Sequence, residues 1–184
     1  MSRQNISNYT FSNNDRLFFD ANIWMYIYGP LVNPQNVSIS AIYATALQKI
    51  RNQKSGLFID ALVLSEFINR YARLEYYQSF ANTYKTFKKF RQSQDFKSVA
   101  QDITNNAKRI VKLCQPCNLQ FDALDLMNLL DEYAQGTTDY NDQLITEICV
   151  ANRFDLVTHD ADFPQLGKSN QLVLLTANRR LLNT

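Results

Sequence analysis

Short apolar runs recur along the chain and alternate with longer segments in which apolar residues recur every three or four positions. A short apolar run bounded by turn-forming or polar residues is typical of a strand buried on both faces. The first run, Leu17-Phe18-Phe19, ends directly in an acidic residue, and the second is opened by Gly56. We predict four strands at 16–20, 57–59, 154–158 and 172–176. A weaker fifth strand is predicted at about 118–121.

The intervening segments carry the periodicity of helices. After the second strand, Val63, Phe67 and Tyr71 repeat at helical spacing, and Asp60 is placed to cap the helix N-terminus. Strands separated by helices predict an α/β fold with a parallel sheet covered on both faces. The predicted helices span about 24–28, 38–53 (capped by Ser38 or Ser40), 61–74, 80–92, 95–114, 123–135 and 139–153 (capped by Thr138 or Asp139).

Length and composition fit one globular domain. The chain has 184 residues, 46% of them hydrophobic and 20% charged, which excludes wholesale disorder. We expect residues 1–15, which are polar and Asn-rich, to form a tail, and residues 16–184 to form a single domain. Three cysteines favour a reducing compartment. With no apolar secretion segment and no run near 18 apolar residues, we expect a cytoplasmic protein with no membrane partner.

Charge is distributed unevenly although the net charge is only +2. Residues 84–112 contain eight basic and two acidic residues, whereas residues 113–167 contain ten acidic residues and one arginine. This asymmetry suggests a basic surface for a polyanion beside a concentrated acidic feature. Tyr84, Phe87, Phe90 and Phe96 are interleaved with the bases, which suits nucleic-acid binding. The same rings at helical spacing also suit a helix core, so both interpretations stay open.

Acidic residues follow the predicted strands at the edge where parallel sheets form their sites. Asp20 ends the first strand, and Asp160 and Asp162 come just after the strand at 154–158. Glu66 lies in the first two turns of the helix that follows the second strand. Asp142 lies in the first turn of the helix that precedes the strand at 154–158, and both helices begin at the same edge. Two like charges about 4 Å apart repel by roughly 4 kcal/mol at an effective dielectric of 20. A cluster of this kind therefore needs a proton or a cation, and oxygen ligands suit Mg²⁺ or Mn²⁺.

Each acid also has a simpler interpretation. Asp20 could cap the helix that follows, and capping is the favoured role for Asp60 and Asp139. Glu66 could face solvent, and Asp142 could simply suit the positive end of its helix.

Four short segments, each carrying an acid, occur in a distinctive order. They are Phe-Phe-Asp-Ala-Asn-Ile-Trp at 18–24, Leu-Ser-Glu-Phe at 64–67, Asp-Tyr-Asn-Asp-Gln-Leu-Ile at 139–145 and Leu-Val-Thr-His-Asp-Ala-Asp-Phe at 156–163. Together, over about residues 16–176, they resemble the acidic motifs of PIN-domain nucleases, VapC-like toxins among them. The resemblance implies a three-layer α/β/α sandwich with four or five parallel strands. The chain is longer than a compact PIN domain, which predicts a helical extension at about 76–115.

The resemblance also implies a metal-dependent ribonuclease site. The implied catalytic residues, which would hold one or two Mg²⁺ or Mn²⁺ ions, are Asp20, Glu66, Asp142 and Asp160. Asp162 would support Asp160 or take a second ion. Candidates for orienting these carboxylates or contacting substrate are Asn22, Thr158, Asp139 and Arg70, with Arg16 and Arg73 as weaker ones. His159 is the only histidine, which excludes catalysis by a histidine pair, and we expect it in an exposed loop.

The sequence thus favours an endoribonuclease, of the type found as the toxin of a toxin–antitoxin pair. The expected partners are an RNA substrate, an antitoxin protein and a second copy of the chain. The alternative is a catalytically weak PIN-like module that binds RNA or protein, and flap-type DNA nucleases and phosphatases are more distant alternatives. An intact acid set favours the enzyme, because clustered carboxylates are costly to keep without a role.

The three cysteines offer a weaker signal. Cys114 and Cys117 have the spacing of a redox motif, but the motif follows a predicted helix and no second pair is available for zinc. We expect structural thiols at both positions and Cys149 in the core.

Overall fold

The centre of the molecule is a parallel sheet of six strands. The computed structural model describes residues 2–30, 34–118, 121–136, 138–161, 163 and 172–183. Every described strand pair is parallel, in the order β1-β6-β5-β2-β3-β4. The strands are β1 Ser2–Asn5, β2 Arg16–Phe19, β3 Gly56–Ile59, β4 Gln115–Pro116, β5 Asp155–Val157 and β6 Val173–Thr176.

Helices flank this sheet, so the predicted α/β/α class is confirmed. They are α1 Ala21–Tyr28, α2 Pro34–Gln53, α3 Ala61–Glu75, α4 Phe87–Arg91, α5 Asp95–Leu113, α6 Leu126–Ala134, α7 Tyr140–Asn152 and α8 Arg179–Leu182. A π-helical turn, Tyr76–Phe80, continues α3, and a 3₁₀ turn spans Phe121–Ala123. The predicted caps Asp60 and Asp139 are confirmed, but Ser38 and Ser40 lie inside α2, which begins at Pro34.

The strand count exceeds the predicted four or five. The additional strand β1 comes from the polar segment that we expected to be a tail. It pairs through its backbone with β6, with Ser2 opposite Val173, and Ile6 just after it is 1% exposed. An edge strand is stabilised by backbone hydrogen bonds, so it can be polar and escape detection by apolar patterning. The fifth strand was predicted too late: β4 lies at Gln115–Pro116, Asn118 is outside any strand, and 119–120 lie outside the described residues.

The core surrounds the central strand β2. Its residues Leu17, Phe18 and Phe19 are completely buried, as are Leu156 and Val157 on the neighbouring β5. Burial on both faces explains why these strands have continuous apolar sequences rather than alternating ones. The order of the sheet therefore places the carboxyl ends of β2 and β5 side by side near its middle.

The segment between Tyr76 and Leu113 extends the core with a cluster of aromatic rings. The π-helical turn lies where the predicted helix 80–92 was expected to begin, and only Phe87–Arg91 of that prediction is α-helical. Phe90 is completely buried, and its ring centroid lies 4.5 Å from that of Phe80 and 5.3 Å from that of Phe96. These rings are therefore packing residues, while the interleaved lysines are exposed.

Among the described residues, no helix is long and apolar enough to span a membrane.

Candidate active site

Asp20 lies at the carboxyl end of β2, directly before α1. Its backbone N–H donates to the carbonyl of Val157 at 3.0 Å, which continues the pairing with β5. Although it occupies the N-cap position of α1, its side chain makes no capping hydrogen bond. Its Oδ2 instead accepts hydrogen bonds from the Thr158 hydroxyl at 2.8 Å and from the Asn22 amide. Asp20 is 3% exposed, so a buried carboxylate is held by neighbouring side chains rather than used as a cap.

Thr158 connects Asp20 to the loop that carries Asp160. The buried Thr158 hydroxyl donates to Asp20 and accepts from the Asn22 amide at 3.2 Å and from the Asp160 backbone N–H at 3.0 Å. Asn22 closes the network, since its Oδ1 accepts from the His159 backbone N–H at 3.2 Å. The ends of β2 and β5 are thus joined by side-chain bonds, which fix the Asp20 carboxylate relative to the backbone of Asp160.

Tyr43 and Asn178 belong to this assembly and were missed from the sequence. The completely buried Tyr43 hydroxyl lies 2.8 Å from His159 Nδ1 and accepts from the Ala177 backbone N–H at 3.0 Å. Asn178 donates from its amide to the His159 carbonyl at 2.7 Å. His159 is therefore half-buried, with its ring edge-to-face against Tyr26 and Tyr43, not in an exposed loop as expected. Tyr43 reads as an ordinary apolar position of α2, so sequence alone gives no signal for this role.

Asp142 lies in the first turn of α7, next to the cap that begins the helix. The cap is Asp139, whose Oδ1 accepts from the Asn141 backbone N–H at 2.8 Å. Burial, together with the charges of Asp20, Asp160, Asp139 and Glu66 in that order, raises the pKa of Asp142 to about 8. Acids from four separate parts of the chain therefore act on one carboxyl group.

Asp20 shows the same effect from inside the sheet. Burial raises its pKa to about 7, although the hydrogen bond from Thr158 opposes the rise. The charges of Glu66 and Asp160 raise it as well. Near neutral pH both carboxyl groups are therefore partly protonated, chiefly because burial disfavours the charged form.

Glu66 reaches the acidic cluster from α3 but is partnered by an arginine. The Arg70 guanidinium donates from Nη1 to Glu66 Oε1 at 3.0 Å, one helical turn away. Arg16, by contrast, lies at the other end of β2, with its guanidinium over the rings of Phe58 and Phe154 at 4.8 Å and 5.1 Å. Arg16 therefore lies away from the Asp20 edge, and a contact between Arg16 and the substrate backbone stays a prediction.

The donors fit a hard divalent cation in their chemistry. Asp20, Glu66, Asp142 and Asp160 offer carboxylate oxygens, the ligands that Mg²⁺ and Mn²⁺ prefer. Burial raises the pKa of Asp20 and of Asp142, and the charges of neighbouring acids add to the rise. In this arrangement, no three Asp, Glu, His or Cys side chains of the described residues lie close enough together to hold one ion. Asp162 lies outside the described residues.

The cysteines lack the electrostatic character of reactive thiols. Burial raises the pKa of Cys114 to about 12 and that of Cys117 to about 11. Cys149 is completely buried, as predicted, and all three thiols are free. Reactive cysteines have lowered pKa values, so this pair lacks the character of a redox site.

The fold resembles that of a solved complex. A chain of the crystal structure of VapBC2 from Rickettsia felis, bound to a DNA fragment from their promoter, superposes with a TM-score of 0.55 at 16% sequence identity. The alignment covers 87% of this chain and 97% of that chain, and at this identity it shows a shared fold. No curated protein sequence gives a significant match.

A match to a family model identifies the protein family of this chain. The PIN domain model matches residues 17–169, a range that extends from β2 to beyond β5 and contains every acid of the site. The chain therefore belongs to the PIN domain family, whose members are generally nucleases.

Proposed function

We propose that this protein is a metal-dependent endoribonuclease that hydrolyses RNA phosphodiester bonds at the Asp20 edge of the sheet. The observation that carries the proposal is the state of Asp20. It is 3% exposed, forms no helix cap, and accepts side-chain hydrogen bonds from Thr158 and Asn22. Burying a carboxylate is costly, and the cost is understandable where a cation binds it.

In this proposal Asp20, Glu66, Asp142 and Asp160 would hold Mg²⁺ or Mn²⁺, with Asp162 supporting them. The ion would supply Lewis acidity at the scissile phosphate and activate water for attack. Thr158 and Asn22 hold Asp20 by its Oδ2 and so fix the direction of the carboxylate. Asp139 begins α7 and thereby positions Asp142, and Arg70 lies beside Glu66 where it would meet a substrate phosphate.

Charge supports a nucleic-acid substrate, and the choice of RNA rests on the resemblance to PIN-domain ribonucleases. Residues 84–112 carry eight basic residues against two acidic ones, and their lysines are exposed around the aromatic cluster. Exposed cations on a rigid apolar base suit a phosphate backbone.

The test compares cleavage of a labelled structured RNA with cleavage of a matched single-stranded DNA. Purified protein is assayed with Mg²⁺, with Mn²⁺ and with EDTA, beside the variants Asp20→Asn and, as a matched control, Asp131→Asn on the exposed side of α6. We expect RNA cleavage that EDTA stops, that Asp20→Asn lowers by about 10²–10³-fold and that Asp131→Asn leaves unchanged. Cleavage retained by folded Asp20→Asn would overturn the assignment.

We also propose that the enzyme is the toxin of a toxin–antitoxin pair, acts in the cytoplasm and forms a homodimer. The similar solved structure is VapBC2, a complex on promoter DNA, which supports a small protein partner. Expression of the wild-type chain should arrest growth, and Asp20→Asn should relieve the arrest. Growth unaffected by active wild-type enzyme would exclude the toxin role while leaving the nuclease.

A second candidate function is a PIN-like module that binds RNA or protein without efficient catalysis. One observation favours it: Glu66 is engaged by Arg70 at 3.0 Å, and in the described part of the chain no three carboxylates converge on one point. Salt-sensitive RNA binding by the wild-type protein, with no cleavage in any metal, would favour this module over the enzyme.

A further inference from the structure

A cleft of about 560 Å³ lies between one face of α1 and one face of α3. From α1 it is lined by Asn22, Met25 and Tyr26, and from α3 and the π-helical turn by Arg70, Arg73 and Tyr77. We call this the α1–α3 cleft. Its volume lies within the range of roughly 300–1,000 Å³ in which proteins bind small molecules.

The α1–α3 cleft is continuous with the carboxyl edge of the sheet that carries Asp20, Glu66, Asp142 and Asp160, which we call the acidic edge. Asn22 lines the cleft and also donates to Asp20. On α3, Glu66 is followed at helical spacing by Arg70, Arg73 and Tyr77, which form a single stripe from the acids into the cleft. A molecule in the cleft would therefore lie directly beside the proposed point of cleavage.

The lining combines positive charge with flat apolar faces. Two guanidinium groups, Arg70 and Arg73, meet two phenol rings and a methionine side chain, and the described lining residues include no carboxylate. The ion pair with Glu66 uses Nη1 of Arg70, while a guanidinium has five N–H donors in all. This chemistry suits a ligand with an anionic group at one end and a flat ring at the other.

Two of the lining residues, Arg73 and Tyr77, pack against aromatic rings. The guanidinium of Arg73 lies 4.9 Å from the ring centroid of Phe87, and that of Arg91 lies 5.9 Å from the same ring. Tyr77 is 65% exposed although its neighbour Tyr76 is buried, with the two rings 5.2 Å apart. The π-helical turn that presents Tyr77 is a rare conformation that occurs frequently at functional sites. An exposed ring on a fixed base is a ready surface for stacking.

We propose that the α1–α3 cleft binds one unpaired nucleotide of the substrate next to the scissile phosphate. Its phosphate would lie on Arg73 and Arg70, and its base would stack on Tyr77 with Met25 and Tyr26 beside it. Arginine binds phosphate through its planar fork, and unpaired bases stack on aromatic side chains. The inference rests on the proposed function, because it names the nucleotide subsite of that same nuclease.

The test measures binding of single nucleotides in EDTA, so that no cleavage takes part. The probes are AMP, GMP, CMP and UMP, with ribose 5-phosphate and inorganic phosphate as ligands that lack a base. The variants are Arg73→Gln and Tyr77→Ala, each with a matched control. The control for Arg73→Gln is Arg51→Gln, at an exposed arginine of α2. It lies roughly 22 Å along that helix from Asn36, the α2 residue that lines the cleft. The control for Tyr77→Ala is Tyr133→Ala, which removes an exposed tyrosine from α6.

We expect at least one nucleotide to bind tenfold more tightly than ribose 5-phosphate. Arg73→Gln and Tyr77→Ala should each weaken that binding by about tenfold, and both controls should leave it unchanged. In cleavage assays Tyr77→Ala should raise KM for RNA more than it lowers kcat.

Two outcomes would overturn the subsite. Ribose 5-phosphate could bind as well as every nucleotide, or Tyr77→Ala could have no effect, and either would leave only an anion site. Binding of a short acidic peptide without nucleotide binding would reassign the cleft to a protein partner. A separate cleavage assay tests the nuclease itself: if the proposed function fails, RNA stays intact in every metal. Nucleotide binding is measured in EDTA, so its result does not depend on that assay.

Discussion

The acidic edge and the aromatic segment Tyr76–Leu113 are built on opposite plans. At the edge the acidic groups are withdrawn from solvent: Asp20 is 3% exposed and is fixed by Thr158 and Asn22, and Glu66, Asp142 and Asp160 are partly buried. In the aromatic segment the rings are buried and the charges are outside, with Phe90 at 0% exposure beneath exposed lysines. The first plan holds a few carboxylates rigidly and suits chemistry. The second presents many solvated cations on a stable base and suits recognition of a polyanion.

The largest expected effect breaks the base of the aromatic segment. Phe90→Ala removes a completely buried ring that packs on Phe80 and Phe96, and should lower the free energy of unfolding by about 3–5 kcal/mol. Chemical denaturation measures this loss. Tyr133→Ala, at an exposed ring of α6, serves as the control and should cost far less. A loss below about 1 kcal/mol for Phe90→Ala would show that the segment does not fold around this ring.

A smaller change tests the rigidity of the acidic edge. Thr158→Val keeps the side-chain shape but removes the hydroxyl that donates to Asp20 and accepts from the Asp160 N–H. We expect activity and Mn²⁺ affinity to fall about 10–100-fold, as for residues that orient metal ligands. Thr158→Ser restores a hydroxyl and should recover most of both. Equal losses in Val and Ser variants would point to packing instead of the hydrogen bonds.

The electrostatic side of the comparison predicts how stability depends on pH. The folded-state pKa values of Asp20 and Asp142, about 7 and about 8, lie above the ordinary value of 3.8. Between about pH 4 and pH 8 the folded protein therefore binds more protons than the unfolded chain, so stability falls as pH rises through this window. In EDTA, Asp142→Asn should raise the melting temperature at pH 8 by a few degrees and have little effect at pH 4.

Thermal unfolding at pH 4, pH 5.5 and pH 8, with and without Mn²⁺, measures these effects. Mn²⁺ should stabilise wild-type protein more at pH 8 than at pH 5.5, because the carboxylates are then ionised. Metal-free stability that rises between pH 5.5 and pH 8 would contradict the predicted sign.

The smallest expected effect concerns the exposed lysines. Replacing Lys88 and Lys89 with glutamine removes two cations from α4 without touching Phe90. RNA affinity should fall modestly, and the slope of log affinity against log salt should become shallower by about 0.7 for each RNA phosphate that is no longer neutralised. Lys49→Gln, on α2, is the control. An unchanged salt slope would show that α4 does not bind the RNA backbone.

The sequence predicted the structure best where a local pattern of residues is typical of one structural element. The apolar run ending in Asp20 predicted both a buried strand and a strand-end acid, and Asp60 was recognisable as a cap that bonds the Val63 N–H at 2.9 Å. β1 escaped because backbone pairing with β6 needs no apolar pattern. The role of Tyr43 escaped because its partner His159 lies 116 residues away. Whether Asp20, Glu66, Asp142 and Asp160 are the catalytic set stays a prediction.

The hydrogen bond between Thr158 and Asp20 spans 138 residues of sequence, which has a consequence for synthesis. On a ribosome the amino-terminal part of the chain emerges first, so Asp20 is exposed long before its partner on β5 has been made. Contacts between such distant residues also form late in folding, because the loop between them must first close. A nascent chain therefore passes through most of its translation without an assembled acidic edge.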